Sequence, residues 1–414
     1  GSAAVTAIGH GVPEVASVIA EQAARLAYAP THAFTTDAVE ACARIIIENF
    51  APAGFGKVWF VSGGSEAADN AVKMAIQYHR ERGEGARHLV IGRRQSFHGA
   101  TIAALAFGDN AGRRRPYAAI LPPAQHIAPC HPYRCRANAA CPPCDLACAD
   151  ALEYTIRQVG AENVAAFIAE PVVGATLAAV PATPGYFARI REICDRYGVV
   201  FIADEVMTGF GRTGKPFGLD HWGVAPDLIT CAKGISGGYA PLGAVLAKPE
   251  FVGEVRSRSG SFVIGHTASG NPLSCATGAA VLRYILDHDL IANAATVGAY
   301  FKTRLEELAR RHEMIGDVRG LGLLLGIELV RDRATKAPFP PAWTVAQRVG
   351  AATLTRGLVS YPGSGTVDGV AGDHLLYAPP LIITREQVDE LVSILDRSLT
   401  AVAAELTAVR HLVD

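Results

Sequence analysis

Short apolar runs alternate with helical stretches along most of this chain, and no other feature restricts its fold as much. "KVWFV" (57–61), "RHLVIG" (87–92), "VAAFIAE" (164–170), "GVVFIADE" (198–205), "DLITCAK" (227–233) and "GAVLAK" (243–248) read as strands bounded by turn residues. "KVWFV" reads as a buried one. Helical periods lie between several of them, from Glu66 to about Arg82 and over "GYFARIREICDRYG" (185–198). This order predicts an α/β fold built on a mainly parallel sheet, with ligands gathered at the carboxyl ends of the strands. After a helical stretch near 272–311 the texture changes. A glycine-interrupted hairpin over 315–330, a helix over 343–356, short strands around "LVSYPG" and "HLLYAPP", and an amphipathic helix over 385–410 predict a separate, smaller α+β unit. "YPGSGTVDGVAGDH" (361–374) reads as a glycine-rich loop long enough to serve function.

Composition excludes some partners. The 38 basic and 39 acidic residues balance, so no electrostatic footprint points to nucleic acid or an acidic membrane. Apolar runs are broken by Gly, Pro or charge before they could span a bilayer, and no secretory signal precedes "GSAAVTAIGHG", which predicts a cytoplasmic protein. Five of the nine cysteines, Cys130, Cys135, Cys141, Cys144 and Cys148, fall in one segment. Cys141 and Cys144 have the two-residue gap that metal sites favour, with His126 and His131 nearby. The alternative is reduced thiols packing a loop, with no metal.

Four pieces carry chemistry. In "FVSGGSEAADNAVKMA" a strand ends, Ser62, Gly63, Gly64 and Ser65 turn, and a helix opens. Its first N–H groups and the two hydroxyls suit a phosphate, although a helix cap at Ser65 explains the same residues. In "VVFIADEVMTGFGRTG" an apolar strand ends in Asp204 and Glu205, where a carboxylate needs a cationic partner. That partner is either a structural ion pair or a protonated ring nitrogen facing Asp204. Phe97 and His98, in "SFHGAT", stand where an aromatic face can lie against something flat; ordinary core is the other reading for Phe97. Lys233 ends a strand with no acid near it in sequence, in a chain that has few lysines. Phosphate cradle, carboxylate, flat face and lysine are together what pyridoxal phosphate requires. A desolvated Lys233 would offer a neutral amine to its aldehyde.

With these motifs the sequence resembles the class III pyridoxal-phosphate aminotransferases of fold type I. "SGGSEAADNAVKMA", "SFHGAT", "FIAEPVVGA", "FIADEVMTGFGRTG", "DLITCAKGISGGYAPLGAVLA", "HTASGNPLSCATGAAVL" and "DVRGLGLLLGIEL" carry the likeness over nearly the whole chain. The resemblance implies a large domain over 52–284 with a mainly parallel seven-stranded sheet. It also implies a small domain over 285–414, and an N-terminal segment over 1–51 packed with the small domain. It implies that Gly64 and Ser65 bind phosphate, that Phe97 and Val206 flank the ring, and that Asp204 meets the pyridine nitrogen. Lys233 would be both the Schiff-base lysine and the base that moves the substrate proton. Glu170 would have a positional role near the cofactor. Thr267 would reach the phosphate of a neighbouring subunit, which implies a homodimer with shared sites, or a tetramer of two such dimers. Members of this family that act on ornithine or 4-aminobutyrate carry a Glu where this chain has Ala175, so the resemblance leans to ω-amine:pyruvate members. Those often have an arginine for α-carboxylates at the position of Tyr361. Tyr361 and Phe34 are the candidate substrate-facing residues. The family also carries a further segment ahead of the "GSAAVTAIGHG" region, one that closes over the site.

The implied reaction moves an amino group from a primary amine or amino acid to a keto acid such as pyruvate, by a ping-pong cycle. A 2,1-aminomutase or dialkylglycine-type decarboxylase shares the scaffold and is the alternative. A non-catalytic or metal/redox protein on the same fold is a third reading.

Overall fold

A computed structural model of the chain describes residues 1–135 and 144–413, with side chains as far as residue 407. The strands, in chain order, are β1 (Lys57–Val61), β2 (Leu89–Arg93), β3 (Gln125–Ile127), β4 (Val164–Ala169), β5 (Val172–Val173), β6 (Val180–Pro181), β7 (Val200–Asp204), β8 (Leu228–Cys231) and β9 (Gly243–Ala247). Beyond them lie β10 (Ile315–Leu321), β11 (Leu324–Leu329), β12 (Tyr361–Ser364) and β13 (Asp373–Tyr377).

Seven strands form the large sheet in the order β1-β9-β8-β7-β4-β2-β3. The contacts from β8 through β3 are parallel, and β9 runs antiparallel to both β8 and β1. Every strand of this sheet except β9 therefore points the same way, so five carboxyl ends that matter (β1, β2, β4, β7, β8) share one edge. Apolar composition drives this: β4, β7, β8 and β9 are buried along their whole length, as expected for a sheet covered on both faces. The helix Tyr186–Tyr197 buries Phe187, Ile190, Ile193 and Cys194, and Phe187 stacks on Phe201 of β7 with ring centroids 6.0 Å apart.

Three expectations need correction. β1 is an edge strand rather than a buried one: Lys57 is exposed, Val58 and Trp59 are half-buried, and only Phe60 and Val61 are covered. The helix read from Glu66 begins at Gly64. The stretch 361–374 is a hairpin, β12 and β13, rather than a free loop, and joins β10 and β11 in a second, antiparallel sheet of order β10-β11-β13-β12. The N-terminal helices Pro13–Arg25 and Asp37–Asn49 pack on the helix Pro272–Asp287. Nearer the chain's start, Leu381 N–H donates to the Ala7 carbonyl at 2.6 Å.

Among the described residues no helix is long and apolar enough to cross a membrane.

Candidate active site

Parallel register sets the site. Ala169 pairs with Ala203 and Asp204 pairs with Thr230, so Glu170, Asp204 and the turn leading to Lys233 come to one level at the sheet edge. Asp204 is 3% exposed. One carboxylate oxygen accepts the Val206 N–H at 3.0 Å, and the other accepts His98 Nδ1–H at 2.7 Å. His98 is itself buried, and its Nε2 has no partner among the described residues.

Lys233 opens a short 3₁₀ turn with φ +48°, in the left-handed region. Part of its side chain stays open, yet protein surrounds it closely enough that burial pushes its ammonium down to about 8. The carboxylates of Asp204 and Glu170 pull the other way, and Arg212 adds to the lowering. Glu170 accepts long hydrogen bonds from Phe97 N–H (3.5 Å) and Gly174 N–H (3.4 Å), and its carboxyl is raised mainly by burial. Glu205, next to Asp204, has no cation paired with it among the described residues. It accepts from Gly218 N–H at 2.7 Å, Leu219 N–H at 2.8 Å and the Thr208 hydroxyl, and burial pushes it up to about 7. Among the described residues neither Asp204 nor Glu205 is thus held by an ion pair with a lysine or arginine.

The reading of Ser65 as a helix cap fails. Gly63 is the cap residue, no side chain caps the helix, and Ser65 Oγ accepts the Ala100 N–H at 3.0 Å from inside the first turn. Ser62 is tied by its own N–H to Glu66 Oε2 at 2.8 Å. An 18-residue helix with an uncapped start keeps the first-turn N–H groups and the positive dipole end available for an anion. The cradle admits no bulk: a Cβ on Gly64 would meet both methyls of Val206 at 3.0 Å, and a Cβ on Gly243 of β9 would lie 2.7 Å from Gly63 backbone.

The structure thus gathers Ser62, Gly63, Gly64, Ser65, Phe97, His98, Glu170, Asp204, Val206 and Lys233 at one sheet edge. It places three sequence candidates elsewhere. Phe34 is 64% exposed and lines a recess with Trp59, Ser269 and Gly270 at the β1 edge. Thr267 is exposed in the loop that leads to Ser269 and Gly270. Tyr361 sits in β12, packed near Leu376 and Leu324. Sequence reasoning missed the His98–Asp204 bond, which joins residues 106 apart, and the buried cation Arg93, which donates to the Glu170 carbonyl. A charge closing the apolar run "LVIGR" was the available signal for Arg93.

Of the cysteine segment, Cys141 lies outside the described residues. Cys130 accepts the Thr183 N–H at 3.3 Å, and Thr183 Oγ1 donates to Cys144 Sγ at 3.5 Å. Among the described residues no group of His, Cys, Asp or Glu is placed to hold a metal ion.

The donor set fits pyridoxal phosphate on its own chemistry: an uncapped helix start for the phosphate, a buried carboxylate for the ring nitrogen, and a desolvated lysine for the aldehyde. Comparisons with known proteins agree. The class-III aminotransferase family profile matches residues 1–399. An uncharacterised aminotransferase, YodT, of Bacillus subtilis is 37% identical over 406 residues, covering 98% of this chain and 91% of that protein. A putrescine–pyruvate aminotransferase of Pseudomonas aeruginosa is 36% identical over 365 residues, covering 87% of this chain and 77% of its own length. Among solved structures, an amine transaminase from an uncultivated Pseudomonas species, in its pyridoxal-phosphate-bound form, matches with TM-score 0.90 and 35% identity over 96% of this chain and 89% of that one.

Proposed function

Because this chain belongs to the class-III aminotransferases, enzymes that depend on pyridoxal phosphate, we propose that it transfers an amino group from a primary, terminal amine to a keto acid such as pyruvate. The cofactor, when bound, supplies an electron sink and carries the amino group between donor and acceptor in two half-reactions. The chain's own residues do the rest. The first-turn amides after Gly63 and the hydroxyls of Ser62 and Ser65 hold the phosphate. Phe97 and Val206 flank the ring. Asp204, oriented by His98 Nδ1–H and Val206 N–H, holds a proton on the ring nitrogen. Lys233 Nζ takes the proton from the donor carbon and returns it to the acceptor carbon, a task that suits an amine poised at about 8.

One observation carries this reading: a closely surrounded lysine and a buried carboxylate stand at adjacent strand ends beside an uncapped helix. The choice of a terminal amine rests on Ala175, which leaves no carboxylate after the "EPVVG" motif. The putrescine–pyruvate relative supports the same donor and acceptor. Exposed Thr267, in the loop that also lines the Phe34 recess, supports a homodimer in which it serves the neighbour's phosphate.

The test is a donor screen of terminal mono- and diamines against pyruvate and 2-oxoglutarate. Turnover with pyruvate and a terminal amine is expected. Carbon dioxide release, or isomer formation without any acceptor, would replace transamination by the decarboxylase or aminomutase reading.

A further inference from the structure

β12 carries Tyr361 and no arginine, so the carboxylate of a keto-acid acceptor needs a cation from elsewhere. Most arginines around the strand ends are already engaged. Arg93 is buried on the Glu170 carbonyl, Arg212 is buried on the carbonyls of Leu323 and Pro379, and Arg114 pairs with Asp109.

Arg113 differs. It is exposed, and it takes part in none of the ion pairs among the described residues. Its guanidinium carbon lies 4.8 Å from the centroid of the Phe97 ring. Phe97 precedes His98, the partner of Asp204, and its N–H reaches Glu170. The turn that joins β12 to β13 comes to the same place: Gln95 Nε2 donates to the Gly365 carbonyl at 2.6 Å, and a Cβ on Gly369 would lie 3.4 Å from the Ala111 Cβ. The hairpin expected to bind the acceptor therefore ends two residues from this arginine. A guanidinium held over a ring and tied to no carboxylate keeps N–H groups for a two-pronged carboxylate bond.

We propose that Arg113, held on Phe97, binds the carboxylate of the keto-acid acceptor and so takes the role that Tyr361 cannot. The proposal rests on the transamination reading and is tested separately from it. On the holoenzyme, Arg113→Ala should raise KM for pyruvate by roughly 10- to 100-fold, the usual worth of a charge-assisted hydrogen bond. The dissociation constant of propanoate, a carboxylate without a keto group, should rise by the same factor in calorimetry. Propanal, an acceptor without a carboxylate, should react with unchanged KM. Arg94→Ala and Arg115→Ala remove exposed neighbours and should change neither constant.

If amine alone causes no absorbance change in the wild type, the transamination reading fails. If that change occurs and Arg113→Ala leaves pyruvate KM and propanoate binding within about twofold of the wild type, the Arg113 assignment is overturned. An equal loss with propanal, or a loss confined to Arg94→Ala or Arg115→Ala, overturns it as well.

Discussion

Asp204 and Glu328 are both buried carboxylates on strands, one at the end of β7 and one inside β11. Glu328 is saturated. Arg319 Nη1 donates to it at 2.7 Å, Arg134 Nε donates to its other oxygen, and the Thr366 hydroxyl adds a bond at 2.9 Å. Burial alone would raise its carboxyl, but Arg319, Arg134 and His131 hold it down to about 2. Asp204 has one backbone N–H and one imidazole, beside a lysine that is not hydrogen-bonded to it. Glu328 joins three separated pieces, the 131–135 segment, β10 and the β12–β13 turn, and is complete without a ligand. Asp204 leaves charge and acceptor capacity for something the chain does not itself supply. Saturation marks structure and incompleteness marks chemistry.

Three substitutions or conditions probe that contrast, in falling order of effect. Asp204→Asn keeps the shape but removes the charge, and should lower kcat by about 100- to 1000-fold, as losing preorganised electrostatic stabilisation does. Its urea midpoint should barely move; a large fall there would make Asp204 as structural as Glu328. Glu328→Gln should do the reverse. It removes the charge facing Arg134 and Arg319, though Arg319 keeps Asp317 and two backbone carbonyls, and should cost roughly 2–3 kcal/mol of stability, with kcat little changed. Because the folded-state carboxyl is depressed, that cost should be fully present above the ordinary value of 4.5 and should vanish as pH falls towards about 2. Chemical denaturation across pH reads both limits. The smallest effect concerns Lys233. Uptake of pyridoxal phosphate by the apo-protein needs the neutral amine, so its rate should climb about tenfold per pH unit and level off above about 8. A plateau reached only near the ordinary lysine value of 10.5 would mean that the carboxylates of Asp204 and Glu170, rather than burial, control the amine.

The same contrast explains what could be read from the sequence. Strand ends at Asp204 and Lys233 were legible because each closes an apolar run, which is a local signal. β1 was misread because "KVWFV" has the composition of a core strand, and its edge position depends on where β9 inserts. The short strands at "LVSYPG" and "HLLYAPP" were legible, but their pairing into a hairpin across the glycine-rich stretch, and with β11, is non-local and escaped. A cap at Ser65 was the competing reading by residue type, but Gly63 takes that place. Arg134, Arg319 and Glu328 meet only in three dimensions, so nothing near any of them announces the network.

The backbone at Lys233 has a consequence of its own. Its φ of +48° is one glycine adopts without penalty and a side chain of this size resists, at roughly 1 kcal/mol or more. Judged by foldability alone, position 233 belongs to glycine; the strained lysine is the cost borne for reactivity. Variants screened only for thermal robustness would drift away from it, so stabilising this protein and preserving its catalytic amine pull against each other at one residue.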